Sequence, residues 1–419
     1  MWKQLLHRIY NERKQNTWLY VELLIVLAII WVAFNDLYKS YQLSTLPTGT
    51  NIENCWRLRI GRSVSTSIDE HPDFSQDYAA ITQIMKNIRQ DNAVDAIGLT
   101  VNSMPYSSNN SNISMYLAKD SLNNKKYVHG VLIRYYNKDV MRVFRCKDIH
   151  GRPLADQIPA IEKHYIIPTK STALKMAGHT NIIDTLVTGF DNGPMPILQI
   201  AENIRYSDYE EVMDGCYEVI TEKDLSEFIE SEGATSNSVQ VCLRMKQHMT
   251  QQDMENWLNK NKALISTSPL YINSATSFSL IKAGLNEYFV RQIKQRVFLV
   301  SFLLVCAFLG ILGTFWLRTS QRRKEIGLLM AIGSSKAHII LNFIYEGLFI
   351  LLCTLPLIIL YIGYYITTGH LSSHEEIVIP TIITSVLSII TMSLLIIGGV
   401  LISAWSTFKI QAAEVLHDE

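Results

Sequence analysis

Apolar residues are concentrated at the two ends of this chain and polar residues in its middle. Four runs are long enough to cross a bilayer, whose ~30 Å hydrocarbon core asks for about 20 helical residues and accepts about 17. The first is WLYVELLIVLAIIWVAF, from Trp18 to Phe34, and the second is VFLVSFLLVCAFLGILGTFWL, from Val297 to Leu317. The third lies within 337–366 and the fourth within 377–404. The third exceeds one hydrocarbon core, so it tilts or begins as an extension in the cytoplasm. Phe34 is followed by Asn35-Asp36-Leu37-Tyr38, which is no small-x-small cleavage site. The first run therefore reads as an uncleaved anchor rather than a signal peptide.

Residues 35–296 form a polar insertion, large enough for a core of its own. Its local patterns are mixed. Asp73 to Arg89 carries Tyr78, Ile81, Ile84, Met85 and Ile88 at helical spacing. Asp95–Val101, Tyr127–Tyr136, Val140–Cys146 and Val239–Met245 read as strands. Thr250 with Asp253 three residues on predicts a helix start, running through Lys260. The expectation is an α+β domain, with parts that form separate subdomains. At its exit, Ile281, Leu285, Phe289, Ile293 and Val297 recur every fourth position, and neither Pro nor Gly interrupts Leu285 to Leu309. That predicts a stalk helix over 280–296, continuous with the second span. Leu37 and Tyr41 can continue the first span as its packing partner. The alternative is a core helix that abuts a span, with a turn near Arg291.

Length and charge add limits. A chain of 419 residues allows two or three domains, and a net charge of zero argues against nucleic acid as a partner. Lys and Arg near the spans set orientation. Lys3, Arg8, Arg13 and Lys14 precede the first span, and Arg318, Arg322, Arg323, Lys324 and Lys336 lie between the second and third. The loop 367–376 has neither Lys nor Arg. Both termini and the second connection therefore face the cytoplasm, and 35–296 faces outside. Arg291, Lys294 and Arg296 conflict with this, but long translocated domains largely escape the charge rule. Of the six cysteines, Cys306 and Cys353 fall inside spans as small packing residues. In an oxidising outer compartment Cys55, Cys146, Cys216 and Cys242 can form two disulfides in any of three connectivities; the alternative is four buried thiols.

Catalytic motifs are missing. There is no G-x-x-x-x-G-K-[ST] phosphate loop, no G-x-S-x-G and no H-E-x-x-H. His370 and His374 share a helical spacing, but they read as a solvated loop more readily than as a metal site, so no metal is expected. Two carboxylates stand in apolar runs. Glu22 is one turn inside the cytoplasmic end and can snorkel, whereas Glu346 is expected to pack against, or hydrogen-bond to, the connection before its span. Cys306, Gly310 and Thr314 share one face of the second span and Gly399, Ser403 and Thr407 one face of the fourth, a pattern that permits close helix contact.

The connection itself reads Arg322-Arg323-Lys324-Glu325-Ile326-Gly327-Leu328-Leu329-Met330-Ala331-Ile332-Gly333. About 10 helical residues cover roughly 15 Å, half a hydrocarbon core, so it stays at one membrane face. The basic cluster opposes the positive end of its own helix dipole, while Glu325 complements it. The cluster is explained by topology or by anionic lipid. Neither explains an apolar body with two glycines, which points to docking on a partner protein.

The order of one span, outer domain and three further spans, together with this connection, resembles the FtsX-like permease family and within it the MacB-type transporters. The family's connection commonly reads R-x-x-E-I-G-L-L-R-A-I-G-A-S-x-x-x-I. Arg322, Glu325, Ile326, Gly327, Leu328, Leu329, Ala331, Ile332, Gly333, Ser335 and Ile339 match it, whereas Met330 and Ser334 depart. Glu346 matches a carboxylate common early in the family's third span. At the C-terminus Ala404, Ile410, Glu414, Leu416 and Glu419 match the family pattern; Ser403, Ala412 and Val415 depart, and Pro356 stands in a third span that lacks most of the family's glycines. The outer domain is similar in position and size only.

The resemblance implies a multi-pass protein of a bacterial inner membrane: cytoplasmic N-terminus (1–17), first span (18–34), outer α+β domain (35–296), second span (297–317), coupling helix (318–336), third span (337–366), outer loop (367–376), fourth span (377–404) and cytoplasmic tail (405–419). It implies a permease subunit, not itself an enzyme, that binds no cofactor. ATP and Mg would reside on a separate ABC ATPase that receives the coupling helix. It further implies a homodimer or a paralogous permease partner, a periplasmic adaptor and an outer-membrane channel, with work done outside the membrane. Other readings are an FtsX-like regulator of cell-wall hydrolases, a lipoprotein-release subunit, and a membrane receptor or scaffold without an ATPase.

Overall fold

The computed structural model describes residues 13–63, 73–107, 111–118, 126–160, 163–189, 193–368 and 378–408. Lys3, Arg8, His370, His374, Ile410, Glu414, Leu416 and Glu419 lie outside the described residues. In chain order the elements are α1 (Arg13–Thr45), β1 (Cys55–Arg62), α2 (Asp77–Arg89), β2 (Val94–Val101), β3 (Ser111–Leu117), β4 (Val128–Tyr136) and α3 (Lys138–Val143). Then come β5 (Tyr165–Pro168), α4 (Lys170–Ala177), β6 (Leu186–Thr188), β7 (Met195–Pro196), β8 (Gly215–Val219), α5 (Glu222–Glu232), β9 (Val239–Met245), α6 (Gln251–Lys260), β10 (Ser266–Thr267) and β11 (Leu270–Ser277). The chain closes with α7 (Phe278–Gln321), α8 (Arg323–Ala331), α9 (Lys336–Thr367) and α10 (Val378–Phe408). It divides into two compact units, one of residues 1–42 with 290–419 and one of residues 43–289.

The second unit is an α+β domain built on a largely antiparallel sheet in the order β10-β11-β1-β9-β2-β4-β3-β6-β7, with β8 parallel to β4 and β5 antiparallel to β8. β2 and β4 share a single paired position, Val101 with Tyr135, so the sheet is nearly two. Each part has its own apolar filling. Trp56, Leu58, Ile97, Leu99, Val241 and Leu243 pack under Ile81, Ile84 and Ile88 of α2 and under Met254 and Trp257 of α6. Burying each such isoleucine contributes about 1.5–3 kcal/mol. Beyond β4, one cluster gathers Leu132, Tyr136, Phe144, Tyr217 and Phe278, and another gathers Met115, Val131, Ile133, Ile166 and Met176.

Thr250 caps α6 in a reciprocal box with Asp253, and Thr221 caps α5 in the same way with Asp224. Such caps contribute about 0.5–2 kcal/mol. Val140–Cys146, expected as a strand, is instead α3 and the turn after it. The Asn137 side chain accepts the Val140 N–H at 3.0 Å and starts the helix. A short run of Val, Met and Phe fits either period, so the cap decides. Gly98 on β2 gives α3 room: a Cβ there would lie 2.7 Å from the Val140 backbone nitrogen.

Cys55, Cys146, Cys216 and Cys242 are buried free thiols, the second of the two arrangements expected for them, and the possible disulfides are not formed. Cys55, Cys146 and Cys242 belong to one apolar cluster and Cys216 to another, where they act as small packing residues. Burial pushes the Cys55 thiol up to about 12 and the Cys146 thiol up to about 11, and raises Cys216 and Cys242 as well. All four therefore stay protonated and unreactive near neutral pH.

The end of this unit grips the first turns of α7. Asp208 accepts from Lys282 Nζ at 2.8 Å and from Asn286 Nδ2 at 2.9 Å, and Tyr209 stacks on Phe289. Buried Arg205 shapes that segment by donating to the carbonyls of Leu46, Asp208 and Glu210. α7 then continues without interruption to Gln321, with no turn near Arg291.

The first unit contains helices whose lengths and hydropathies suit a membrane: within α1, α7, α9 and α10, each is long and apolar enough to cross. The chain is an integral membrane protein. α1, α7, α9 and α10 meet through Leu19, Leu23, Leu27, Ile311, Phe315, Phe343, Ile350, Met392, Ile396 and Val400. Apolar residues also cover the outside, among them Phe298, Phe302, Val305 and Leu309 on α7, as a lipid solvent permits. Buried hydroxyls of Thr354, Thr384 and Ser388 donate to carbonyls one turn back on their own helices. They are satisfied locally rather than lining a polar path.

Candidate functional site

The connection between the second and third spans is a helix in its own right, α8, held at both ends. At its C-terminus Gly333 N–H donates to Met330 O at 3.1 Å and Ser334 N–H to Leu329 O at 2.9 Å. This pair of bonds closes a Schellman turn, whose C′ residue must be left-handed. Gly333 has φ +93°, a conformation that glycine adopts without strain. Two residues on, the Ser335 side chain accepts the His338 N–H and starts α9.

At the N-terminal end, Glu346 of α9 anchors the connection. Its carboxylate accepts from Arg322 Nη1 at 2.9 Å and from Arg318 Nη1 at 3.0 Å. The Glu346 side chain is 5% exposed. Arg318 lies in the last turn of α7, where the helix dipole favours cations, and Arg322, the N-cap residue of α8, follows the end of α7 with its N–H donating to Arg318 O at 3.1 Å. The Arg322 guanidinium also lies 5.9 Å from the centre of the Phe343 ring. This cluster fastens three consecutive helices. Arg318 entered the sequence reading only as a positive charge; its place four residues before Arg322 was the signal that both reach one acceptor.

α8 has two faces. Ile326 (4% exposed) and Gly327 are buried, and Leu329 and Met330 pack against the apolar filling of the membrane unit, as does Ile339 at the start of α9. Arg323, Lys324, Glu325, Leu328, Ala331 and Ile332 are exposed, with Leu328 at 60% and Ile332 at 72%. The residues of the sequence motif are therefore split. Ile326, Gly327, Leu329 and Arg322 turn to the protein, whereas Glu325, Leu328 and Ile332 form an outward line at i, i+3 and i+7. That spacing is the one by which a helix presents anchors to a groove.

The small residues of the spans lie at contacts within the membrane unit. A Cβ on Gly310 would come within 2.5 Å of a Glu22 oxygen, and Thr314 Oγ1 donates to Glu22 at 3.1 Å. Gly310 and Thr314 thus make a polar notch in α7 for the α1 carboxylate. A Cβ on Gly399 would lie 3.1 Å from Ile311, and Ser403 Oγ bonds the Leu312 and Gly399 carbonyls. Glu22 and Glu346 are in separate places and do not form one acidic site. Among the described residues, no three His, Cys, Asp or Glu side chains are grouped closely enough to hold a metal ion.

Residues 297–413 match the family model described as the FtsX-like permease C-terminal domain. No curated protein matches the chain. Among solved structures, the chain is similar to the extracellular domain of the noncanonic ABC-type transporter YknZ from Gram-positive bacteria, at 10% identity over 52% of this chain and 100% of that one, TM-score 0.27. It is also similar to the periplasmic region of MacB from Actinobacillus actinomycetemcomitans (11% identity, 56% and 92% covered, TM-score 0.32). A domain of a putative permease protein from Porphyromonas gingivalis is a third (12% identity, 54% and 91% covered, TM-score 0.32).

Proposed function

We propose that this chain, whose membrane part matches an FtsX-like permease domain, is the permease subunit of a MacB-like ABC transporter, and that the outward line of α8 docks on a separate cytoplasmic ATPase. The observation that carries this reading is the division of α8 into a face locked to its own membrane unit and a face that leaves Leu328 and Ile332 uncovered beside Glu325. A helix of nine residues is too short to be stable alone and is held by its inner face. Ile326 and Gly327 serve that face, not the partner.

Force follows the covalent path. The Glu346 cluster and the Gly333 turn join α8 to α7 and α9, so a push on α8 cannot be absorbed at a loose joint. α7 has 44 residues, roughly 65 Å of helix, and its first turns are held by Asp208. Movement started by ATP binding on the partner thus reaches the α+β domain, where export or envelope work is done. ATP and Mg belong to the partner chain. The basic residues Arg318, Arg322, Arg323, Lys324 and Lys336 support a reading in which α8 and both termini face the cytoplasm, and the membrane in that reading is a bacterial inner membrane. A second permease, identical or paralogous, completes the assembly, and a periplasmic adaptor and an outer-membrane channel are further candidates for it.

The test is purification of the protein from its native membrane. An ATPase with a phosphate loop is expected to accompany it, and the double variant Leu328→Asp, Ile332→Asp to lose that ATPase while still inserting. The proposal fails if no ATPase is recovered, or if the double variant retains it.

A further inference from the structure

Within the membrane unit, α1 and α7 form a wedge. At its narrow end Glu22 sits in the notch of Gly310 and Thr314, where a Cβ on Gly310 would come within 2.5 Å of a Glu22 oxygen. Ile311 and Phe315 beside that notch are fully buried, whereas no residue of α7 from Val297 to Gly310 is. Over that stretch a cavity of about 170 Å³ separates the two helices, walled by Val26, Ile29 and Ala33 of α1 and by Val300, Leu304 and Ala307 of α7. Its remaining walls are aliphatic too, apart from the Cys306 thiol.

Size, depth and charge identify what fills it. An apolar cavity of about 150 Å³ stays dry and accepts an apolar guest, so water is not the occupant. A neighbouring helix is about 10–12 Å across and can lend this space no more than a side chain, whereas an alkyl chain enters it lengthwise. Arg296, Val300, Leu303, Leu304 and Ala307 stand at i, i+4, i+7, i+8 and i+11, one face of α7. From Arg296 to Ala307 that face covers about 16 Å of helix, close to half of a ~30 Å hydrocarbon core. The groove therefore has the depth of one leaflet, from the membrane boundary to the midplane. Arg296 is exposed and stands at the boundary end, with Arg291 and Lys294 within two turns of it. A cation above an apolar slot of leaflet depth complements an anionic headgroup above its own acyl chain.

We propose that the wedge between α1 and α7 binds one anionic phospholipid of the leaflet nearer the N-terminal end of α7, with an acyl chain in the cavity and the phosphate at Arg296. The lipid completes a helix pair that the chain itself closes only at Glu22. The site rests on the membrane character of this unit and not on the ATPase reading, and would stand if that reading fell.

The experiment uses the full chain in phosphatidylcholine liposomes with trace photoreactive lipid, either phosphatidylglycerol or phosphatidylcholine carrying a diazirine in its acyl chain. After illumination, adducts of the phosphatidylglycerol probe on 26–33 and 300–307 should exceed those on the exposed α10 residues Ile379, Ile382 and Val386. In the wedge this probe should label about fivefold more than the phosphatidylcholine probe, the effect of one Arg near a charged headgroup, and on α10 the two should label alike. Arg296→Gln should bring the wedge ratio to that of α10. Ala307→Phe, which fills the cavity, should remove the wedge adducts of both probes and leave those on α10 unchanged. If Ala307→Phe fails to insert, the probe ratio and its loss in Arg296→Gln decide. Wedge labelling no greater than on α10, equal labelling by the two probes, or labelling undiminished in Ala307→Phe would each overturn the proposal. So would an Ala307→Phe chain that loses self-association while its lipid labelling is unchanged, which would assign the cavity to a second copy.

Discussion

On α8, Ile326 and Leu328 are two residues apart, and a rotation of about 100° per residue sends them to different surroundings. One packs into the membrane unit and the other stands in solvent. Both belong to the same motif and both are apolar. Inward, the helix behaves like any amphipathic surface helix: Ile326, Leu329 and Met330 supply the stripe, and Gly327 is buried among them. Outward, it keeps apolar residues where a monomer would place polar ones. The difference separates two demands on one motif. The inner face decides whether α8 is in place, and the outer face decides what it meets there.

Variants of the two faces and their anchors should therefore diverge. The largest effect on stability is expected from Glu346→Ala, which leaves Arg318 and Arg322 without their shared acceptor. Removing one partner of a buried pair costs about 3–5 kcal/mol, read as a lowered Tm of the protein in detergent. Glu346→Gln, which keeps an acceptor oxygen, should fall between that variant and wild type. Ile326→Ala opens a void on the inner face and should cost about 2–5 kcal/mol in the same assay. Gly333→Ala forces a side chain into a left-handed residue and should cost about 1–2 kcal/mol, with fraying of α8 visible as faster amide exchange from Leu328 to Ser334. The smallest effect belongs to the outer face. Leu328→Ala should stay within about 0.5 kcal/mol of wild type, as exposed substitutions do, while partner binding weakens. If Leu328→Ala were as destabilising as Ile326→Ala, the two faces would not be distinct.

Much of the architecture was legible because its signals are long or paired. The four spans need only length and apolarity, and the unbroken α7 follows from the interval between Leu285 and Leu309 that lacks Pro and Gly. The α6 start was legible in two side chains, Thr250 and Asp253. The failures were short or non-local. Val140–Cys146 misled because Asn137, which turns it into a helix, is a single residue outside the run. Cysteine spacing says nothing about which apolar cluster each thiol enters. The two faces of α8 were hidden because every residue from Ile326 to Ile332 is apolar or glycine, so the pattern has no polar side to mark. Arg318 meets Glu346 across 28 residues of chain, a contact that exists only once α7 and α9 are packed.

The most direct measurement is site-specific photo-crosslinking from α8 in native membranes, with the photoreactive residue placed in turn at Leu328, Ile332 and Ile326. The account predicts adducts with one phosphate-loop ATPase from positions 328 and 332, and from position 326 only adducts within the permease. An ATPase adduct from position 326 with none from 328 or 332, or no ATPase adduct from any of the three, would contradict it.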